Sequence, residues 1–267
     1  MKQRRYPVLQ LGGLVIAGVF ALLWLAEQKR PLRRRVESTR RRQARNAAVA
    51  GIAAVTVQLA EMPAVRPVAA LVERRGWGLL GRTRPGALRT LASLLLLDYT
   101  LYVWHVLTHR VPLLWRFHAV HHVDLDLDAS TALRFHFGEL TLSVPWRIAQ
   151  VAAIGVSERD LRLWQQLVLV SIVFHHSNVR LPIGVERLLA ALVVTPRLHG
   201  IHHADVEAIR DSNWSSGLTI WDRLHGTLRT DVPQEAITIG VEGYEAPGQV
   251  TLPRILALPF QGEPSRR

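Results

Sequence analysis

Asp98 to His122, DYTLYVWHVLTHRVPLLWRFHAVHH, leads from an apolar helix into a histidine cluster, and its reading decides the fold. The apolar run over 87–107 has the length of a membrane-crossing helix and ends at His105-x3-His109. Asp98, Tyr102, His105 and His109 are spaced four, three and four apart, which puts them on one stripe of that helix. An acid there is expensive, so Asp98 is expected to accept a hydrogen bond from a ligand imidazole and fix its tautomer. His118-x2-His121-His122 follows with the same helical periodicity.

Outward from this stretch the pattern recurs. His175-His176 and a second H-x2-H-H unit, His199-x2-His202-His203, lie downstream, and all 12 histidines fall between 105 and 225. Residues three and four apart share a helix face, so each unit can offer two imidazoles to one centre and a third to a neighbour. Imidazole suits iron, zinc, copper or nickel, and four converging segments could hold two ions. The units are dispersed among aliphatic and aromatic residues, unlike a contiguous metal-scavenging tract.

Composition narrows the chemistry. The 267 residues are 49% hydrophobic with a positive mean hydropathy, which favours a membrane protein. Cysteine is absent, which removes disulfides, thiolate-ligated zinc, iron-sulfur clusters and thiolate haem. No glycine-rich dinucleotide fingerprint is present, so redox work would need an external electron-transfer protein. The net charge of +12 is carried almost entirely by arginine. Its densest run, 29–45, follows an apolar stretch, as a cytoplasmic loop facing anionic membrane lipids does, and no nucleic-acid-binding module accompanies it.

The apolar stretch over 8–26 is read as a retained anchor helix, because a basic stop-transfer flank follows it and no A-x-A-like cleavage site does. A second stretch, 47–72, is expected to bend or leave the bilayer near Pro63. Two shorter ones, 139–156 and 161–174, form an apolar hairpin. Placing the basic loop inside and alternating the crossings brings every histidine cluster to the cytoplasmic side, with Arg74, Arg75, Arg82 and Arg84 outside. The expectation is an all-α integral membrane bundle of two hairpins plus an N-terminal anchor helix, with a cytoplasm-facing, histidine-rich helical cap, in a bacterial inner membrane. Its divisions are an anchor and basic loop over 1–46, the membrane domain over 47–230, and an irregular tail over 231–267 that rests on the membrane through 255–260.

These residues resemble the fatty acid hydroxylase superfamily, which includes sterol desaturases, sphingolipid and fatty acid hydroxylases and alkylglycerol monooxygenase. The likeness spans about residues 90–230. It rests on Asp98-x3-Tyr102-x-Trp104-His105-x3-His109, the two H-x2-H-H units, Phe174-His175-His176-Ser177-Asn178, and Trp221-Asp222-Arg223-Leu224-His225-Gly226-Thr227. The resemblance implies a cytoplasm-facing site with two non-haem irons. The ligands it implies are His105, His109, His118, His121, His122, His176, His199, His202 and His203. His175 stands where relatives often carry another polar residue and is expected behind the ligands or facing the substrate. Arg134 to Glu139 is similar to the family's Arg-x-His-Pro-x-Glu segment with Phe137 in place of proline, which weakens His136 as a ligand. His225 is expected to be a surface or capping residue.

The reading that follows is an oxygenase using O2 and external electrons on a lipid substrate, with hydroxylation and desaturation both open. Asp98, Asp205 and Asn213 are expected to support the ligands, and Trp104, Trp115 and Trp146 to sit where a lipid enters. A membrane metal or haem carrier is the competing class, though it leaves the duplicated H-x2-H-H unexplained. A zinc hydrolase is a third, set back by the absence of H-E-x-x-H or another glutamate beside the clusters.

Overall fold

The computed structural model describes residues 12–261, so the start of the first apolar stretch at Val8 and the basic residues before it lie outside the described residues. Five long helices run in chain order: α1 (Gly12–Lys29), α2 (Thr39–Arg75), α3 (Ala87–Arg110), α5 (Phe137–Ile154) and α6 (Glu158–His176). Between and after them come short cap helices: α4 (Pro112–His122), α7 (Ile183–Ala190), α8 (Pro196–His202), α9 (Glu207–Arg210), α10 (Ile220–Leu224) and α11 (Leu252–Ala257). No strand forms among the described residues, and α1, α2 and α3 are long and apolar enough to cross a membrane. At 1.5 Å per residue α3 alone spans about 36 Å.

The ends of these elements follow local chemistry. Pro63 does not break α2. The helix passes through a π turn at Val57–Glu61, just before Pro63, and stays helical to Arg75. Val111 is extended before Pro112, so α3 stops and α4 starts in a new direction, folding back against α3. Gly155 closes α5 with φ 81°, a left-handed cap, and Ser157 opens α6 by accepting from the Asp160 amide at 3.1 Å.

Two apolar cores flank the histidines. One joins Val65, Leu97, Val151 and Trp164 among the long helices, while the other packs Val49 of α2 against Trp115, Val120, Val241, Ile255 and Leu258 of the cap. The second core corrects two expectations. Ile255 and Leu258 are buried in protein, so the segment around α11 does not rest on the membrane through them. Trp115 is 1% exposed and packs on His109 and His122, so it does not mark a lipid entrance.

The basic run also differs from its reading as a headgroup-facing loop. Residues 39–45 belong to α2, and Arg42 is buried between Asp124 at 3.0 Å and Asp128 at 2.5 Å, with Arg45 bridging Asp124 and Glu37. Burial works to raise the Asp124 carboxyl, yet the Arg42 and Arg134 guanidiniums hold it below its usual range. This network clamps the loop that follows His122 onto α2.

Candidate metal centre

Four segments converge: the end of α3, the whole of α4, the end of α6 and α8. They place buried imidazoles in two groups. His105, His109, His118, His122 and His202 form one, and His121, His176, His199 and His203 the other, with one nitrogen of each residue within 4.8 Å of those of its group. The two H-x2-H-H units are split between the groups: His118 and His122 go one way and His121 the other, while His202 separates from His199 and His203. A helix turns about 100° per residue, so neighbours on α4 and α8 face different centres. The groups abut through the His122 and His203 rings, stacked 4.2 Å apart.

Outward-facing acceptors orient the rings. In the five-histidine group, Nδ1 of His105 donates to the Trp214 carbonyl at 2.6 Å, and Nδ1 of His202 to the Ser212 carbonyl at 2.9 Å. Nδ1 of His118 lies 3.0 Å from Glu139 Oε1, and Nδ1 of His109 lies 3.6 Å from Asp211 Oδ1. A carbonyl only accepts, so His105 and His202 carry their proton on Nδ1 and turn a lone pair inward on Nε2. Nε2 of His109, His118 and His202, and both nitrogens of His122, are buried without a protein partner.

In the four-histidine group the Nε2 atoms meet directly. His176 lies 2.9 Å from His121 and 3.0 Å from His199, and His199 lies 3.1 Å from His203. His176 Nδ1 donates to the Ile172 carbonyl at 2.8 Å, which leaves its Nε2 lone pair facing both neighbours. Burial, reinforced by neighbouring imidazoles, holds His121, His122, His199, His202 and His203 well below the ordinary histidine range. Neutral imidazoles with convergent nitrogens, without a protein partner in the five-histidine group and facing only one another in the four-histidine group, are the donor set a divalent transition metal takes, so the residues present fit such ions in both groups.

The supporting residues differ from those expected. Asp98 bonds no imidazole: its Oδ2 accepts from Trp221 Nε1 at 2.7 Å and from the Leu218 amide at 3.1 Å. Its stripe partners His105 and His109 enter the site about two and three turns further along, beyond the reach of a short side chain. Asp205 is likewise tied through its backbone, to Thr238 and Arg210, and no hydrogen bond joins its carboxylate to a ligand candidate. Asn213 acts through the chain instead. At φ 53° it turns the carbonyls on either side, Ser212 and Trp214, toward His202 and His105, and its side chain binds the Leu198 and Arg229 carbonyls and the Arg229 amide.

His175 stays outside both groups, buried with its ring 4.0 Å from His199 and hydrogen-bonded to the Ser216 backbone. His136 caps α5, accepting from the Gly138 amide at 2.9 Å, while Nε2 meets the Leu256 carbonyl. His225 is exposed and stacks on Tyr102 at 5.0 Å. Spacing alone does not reveal Glu139, hydrogen-bonded to His118, or Asp211, which faces His109. Glu139 also overturns the reading that no glutamate adjoins the clusters: it is remote from them in sequence and adjacent in space. Its signal was an acid in the first turn of an apolar helix.

Both groups open onto one cavity of about 110 Å³. His105, His118, His121, His176 and His199 line one side, and Leu101, Trp104, Leu140, Val168 and Ile172 continue it between α3, α5 and α6. Phe135 lies flat on His121 with ring centres 4.9 Å apart, and Trp104 meets Trp146 at 5.8 Å.

The chain matches the fatty acid hydroxylase family over residues 90–227, which carry all nine grouped histidines. It is 32% identical to the ornithine lipid hydroxylase OlsE of Rhizobium tropici over 177 residues, 66% of this chain and 51% of that protein. Over 151 residues it is 34% identical to a cholesterol 25-hydroxylase-like protein of Danio rerio, covering 54% of this chain and 58% of that one. Human alkylglycerol monooxygenase is 28% identical over 134 residues, 50% of this chain and 29% of that protein. The match to OlsE thus spans about half the length of that protein. No solved structure matches. A family match covering more than half the chain, over the segments that build both histidine groups, places this protein in the fatty acid hydroxylase family.

Proposed function

We propose that this protein is an O2-dependent enzyme that hydroxylates or desaturates a lipid, with one iron held by each histidine group. The observation that carries this reading is that two sets of convergent, buried imidazole nitrogens open onto a single, partly apolar cavity. Bound there, the two irons would supply the activation of O2. The chain's own residues do the rest. Leu101, Leu140, Val168 and Ile172 hold an acyl or ring portion of the substrate and keep water from the reacting carbon. Glu139 and the carbonyls of Ser212 and Trp214 hold three Nδ1 protons outward, with the Asp211 carboxylate facing a fourth, so that the Nε2 lone pairs stay directed inward.

With no cysteine and no nucleotide motif, electrons come from an external electron-transfer protein. The histidine end faces the cytoplasm, as the basic residues at 29–35 argue. The relatives' names point to amphipathic lipids as the substrate class: an ornithine lipid, cholesterol and an alkylglycerol. The contact between His122 and His203 leaves no slot between the groups for a haem macrocycle, which weighs against a haem carrier.

The test is metal content, visible spectrum and O2-dependent lipid turnover of the detergent-purified protein from iron-replete cells, beside His121→Ala and His202→Ala. Two irons per chain without a Soret band, with iron and turnover lost in the variants, is the expected result. Haem, zinc alone, or turnover retained by both variants would overturn it.

A further inference from the structure

Exposed aliphatic side chains gather on two cap elements. Val185, Leu188 and Leu192 follow a helical stripe along α7 and the turn after it, with Ile183 beside them, while Ile220 and Leu224 stand one turn apart on α10. Leu188, Leu192 and Leu224 are 72%, 68% and 67% exposed. The opposite side of α7 is polar and buried, where Glu186 receives Arg197 at 2.7 Å. The two elements are joined into one surface: Val193 bridges Leu218, the Thr219 amide binds the Leu192 carbonyl, and Thr219 Oγ1 and Arg223 both bind the Ala190 carbonyl.

Asp98 sets the depth of this surface. It stands near the middle of α3, about 18 Å from the C-terminal end at 1.5 Å per residue. Both its hydrogen bonds reach into the segment that carries α10, at Leu218 and Trp221. The α7–α10 surface therefore lies alongside the middle of a helix long and apolar enough to cross a membrane, about two turns from His105, and its outer side is aliphatic. Arg187 and Arg223 are exposed beside it, as cationic side chains that reach back to headgroups would be.

We propose that α7 and α10 form a wedge embedded in the leaflet on the histidine side of the bilayer, its aliphatic face covered by lipid acyl chains and its depth set by Asp98. Attachment to the middle of α3, a helix long and apolar enough to cross a membrane, and the flanking arginines favour lipid over a second protein as the occupant. The segment leading into α10 carries Ser216, which lines the cavity, so the wedge is joined directly to the cavity wall.

Because the chain contains no cysteine, single labels test this directly. Leu188→Cys and Leu224→Cys, with Glu245→Cys on the cap as the aqueous control, are labelled with an environment-sensitive fluorophore in phosphatidylcholine and phosphatidylglycerol nanodiscs. The labels at 188 and 224 are expected to be quenched severalfold more by brominated acyl chains than by iodide, with the order reversed at 245. Iodide quenching at 188 and 224 equal to that at 245 would overturn the wedge. So would quenching by neither reagent, which would mean a protein covers the face. The readout needs neither bound metal nor turnover, so its failure is distinct from failure of the proposed reaction.

Discussion

Glu139 Oε1 lies 3.0 Å from His118 Nδ1, joining the first turn of α5 to α4 across 21 residues of sequence. Both side chains are buried, and Glu139 Oε2 has no protein partner. The contact fixes the His118 ring with its other nitrogen turned toward the five-histidine group. Glu139→Ala frees the ring to turn, and metal affinity at that group is expected to fall roughly 10–100-fold. Titration of the metal-free protein would measure this, with the four-histidine group as an internal reference that stays unchanged.

The Arg42 guanidinium joins Asp124 and Asp128 with almost no solvent contact. Arg42→Ala leaves those carboxylates buried without their main partner, at a cost of about 3–5 kcal/mol. A lowered thermal unfolding midpoint in detergent would report it. A leucine in place of Arg45 should cost less, because Asp124 keeps Arg42 and the other carboxylate released is the less central Glu37.

Gly217 is required by Asp98. A Cβ at Gly217 would fall inside contact distance of the Asp98 carboxylate, which two hydrogen bonds hold in place. Gly217→Ala is expected to destabilise the protein by about 1–3 kcal/mol through overpacking. In the background of Asp98→Ala the clash is gone, so the added cost of Gly217→Ala should largely vanish. A double-mutant cycle on unfolding midpoints checks this.

Val168 lines the cavity from α6 but belongs to neither histidine group. Val168→Trp fills space that the substrate needs while leaving the imidazoles untouched. Lipid turnover should fall with metal content unchanged. A parallel loss of metal would place Val168 among the residues that hold the site together instead.

The sequence by itself determined which histidines of one helix act together, because helical spacing is local: those four apart, His118 with His122 and His199 with His203, share a face whatever the rest of the chain does. It also determined that α3 is apolar with a polar stripe, and it marked the family through motifs in residues 90–227. The tertiary structure decided how the nine imidazoles divide. The split of each H-x2-H-H unit depends on how α4 and α8 are rotated against α3 and α6, and packing sets that rotation.

Only the tertiary structure decided the partners of the Nδ1 atoms, since two are backbone carbonyls turned by the left-handed Asn213 and carry no side-chain signature. It likewise turned Asp98 from an imidazole partner into an anchor for the α10 segment, and Arg42 from a surface charge into a buried clamp. An acid or an arginine at a given spacing declares a need for a partner; three-dimensional packing alone selects which one lies within reach.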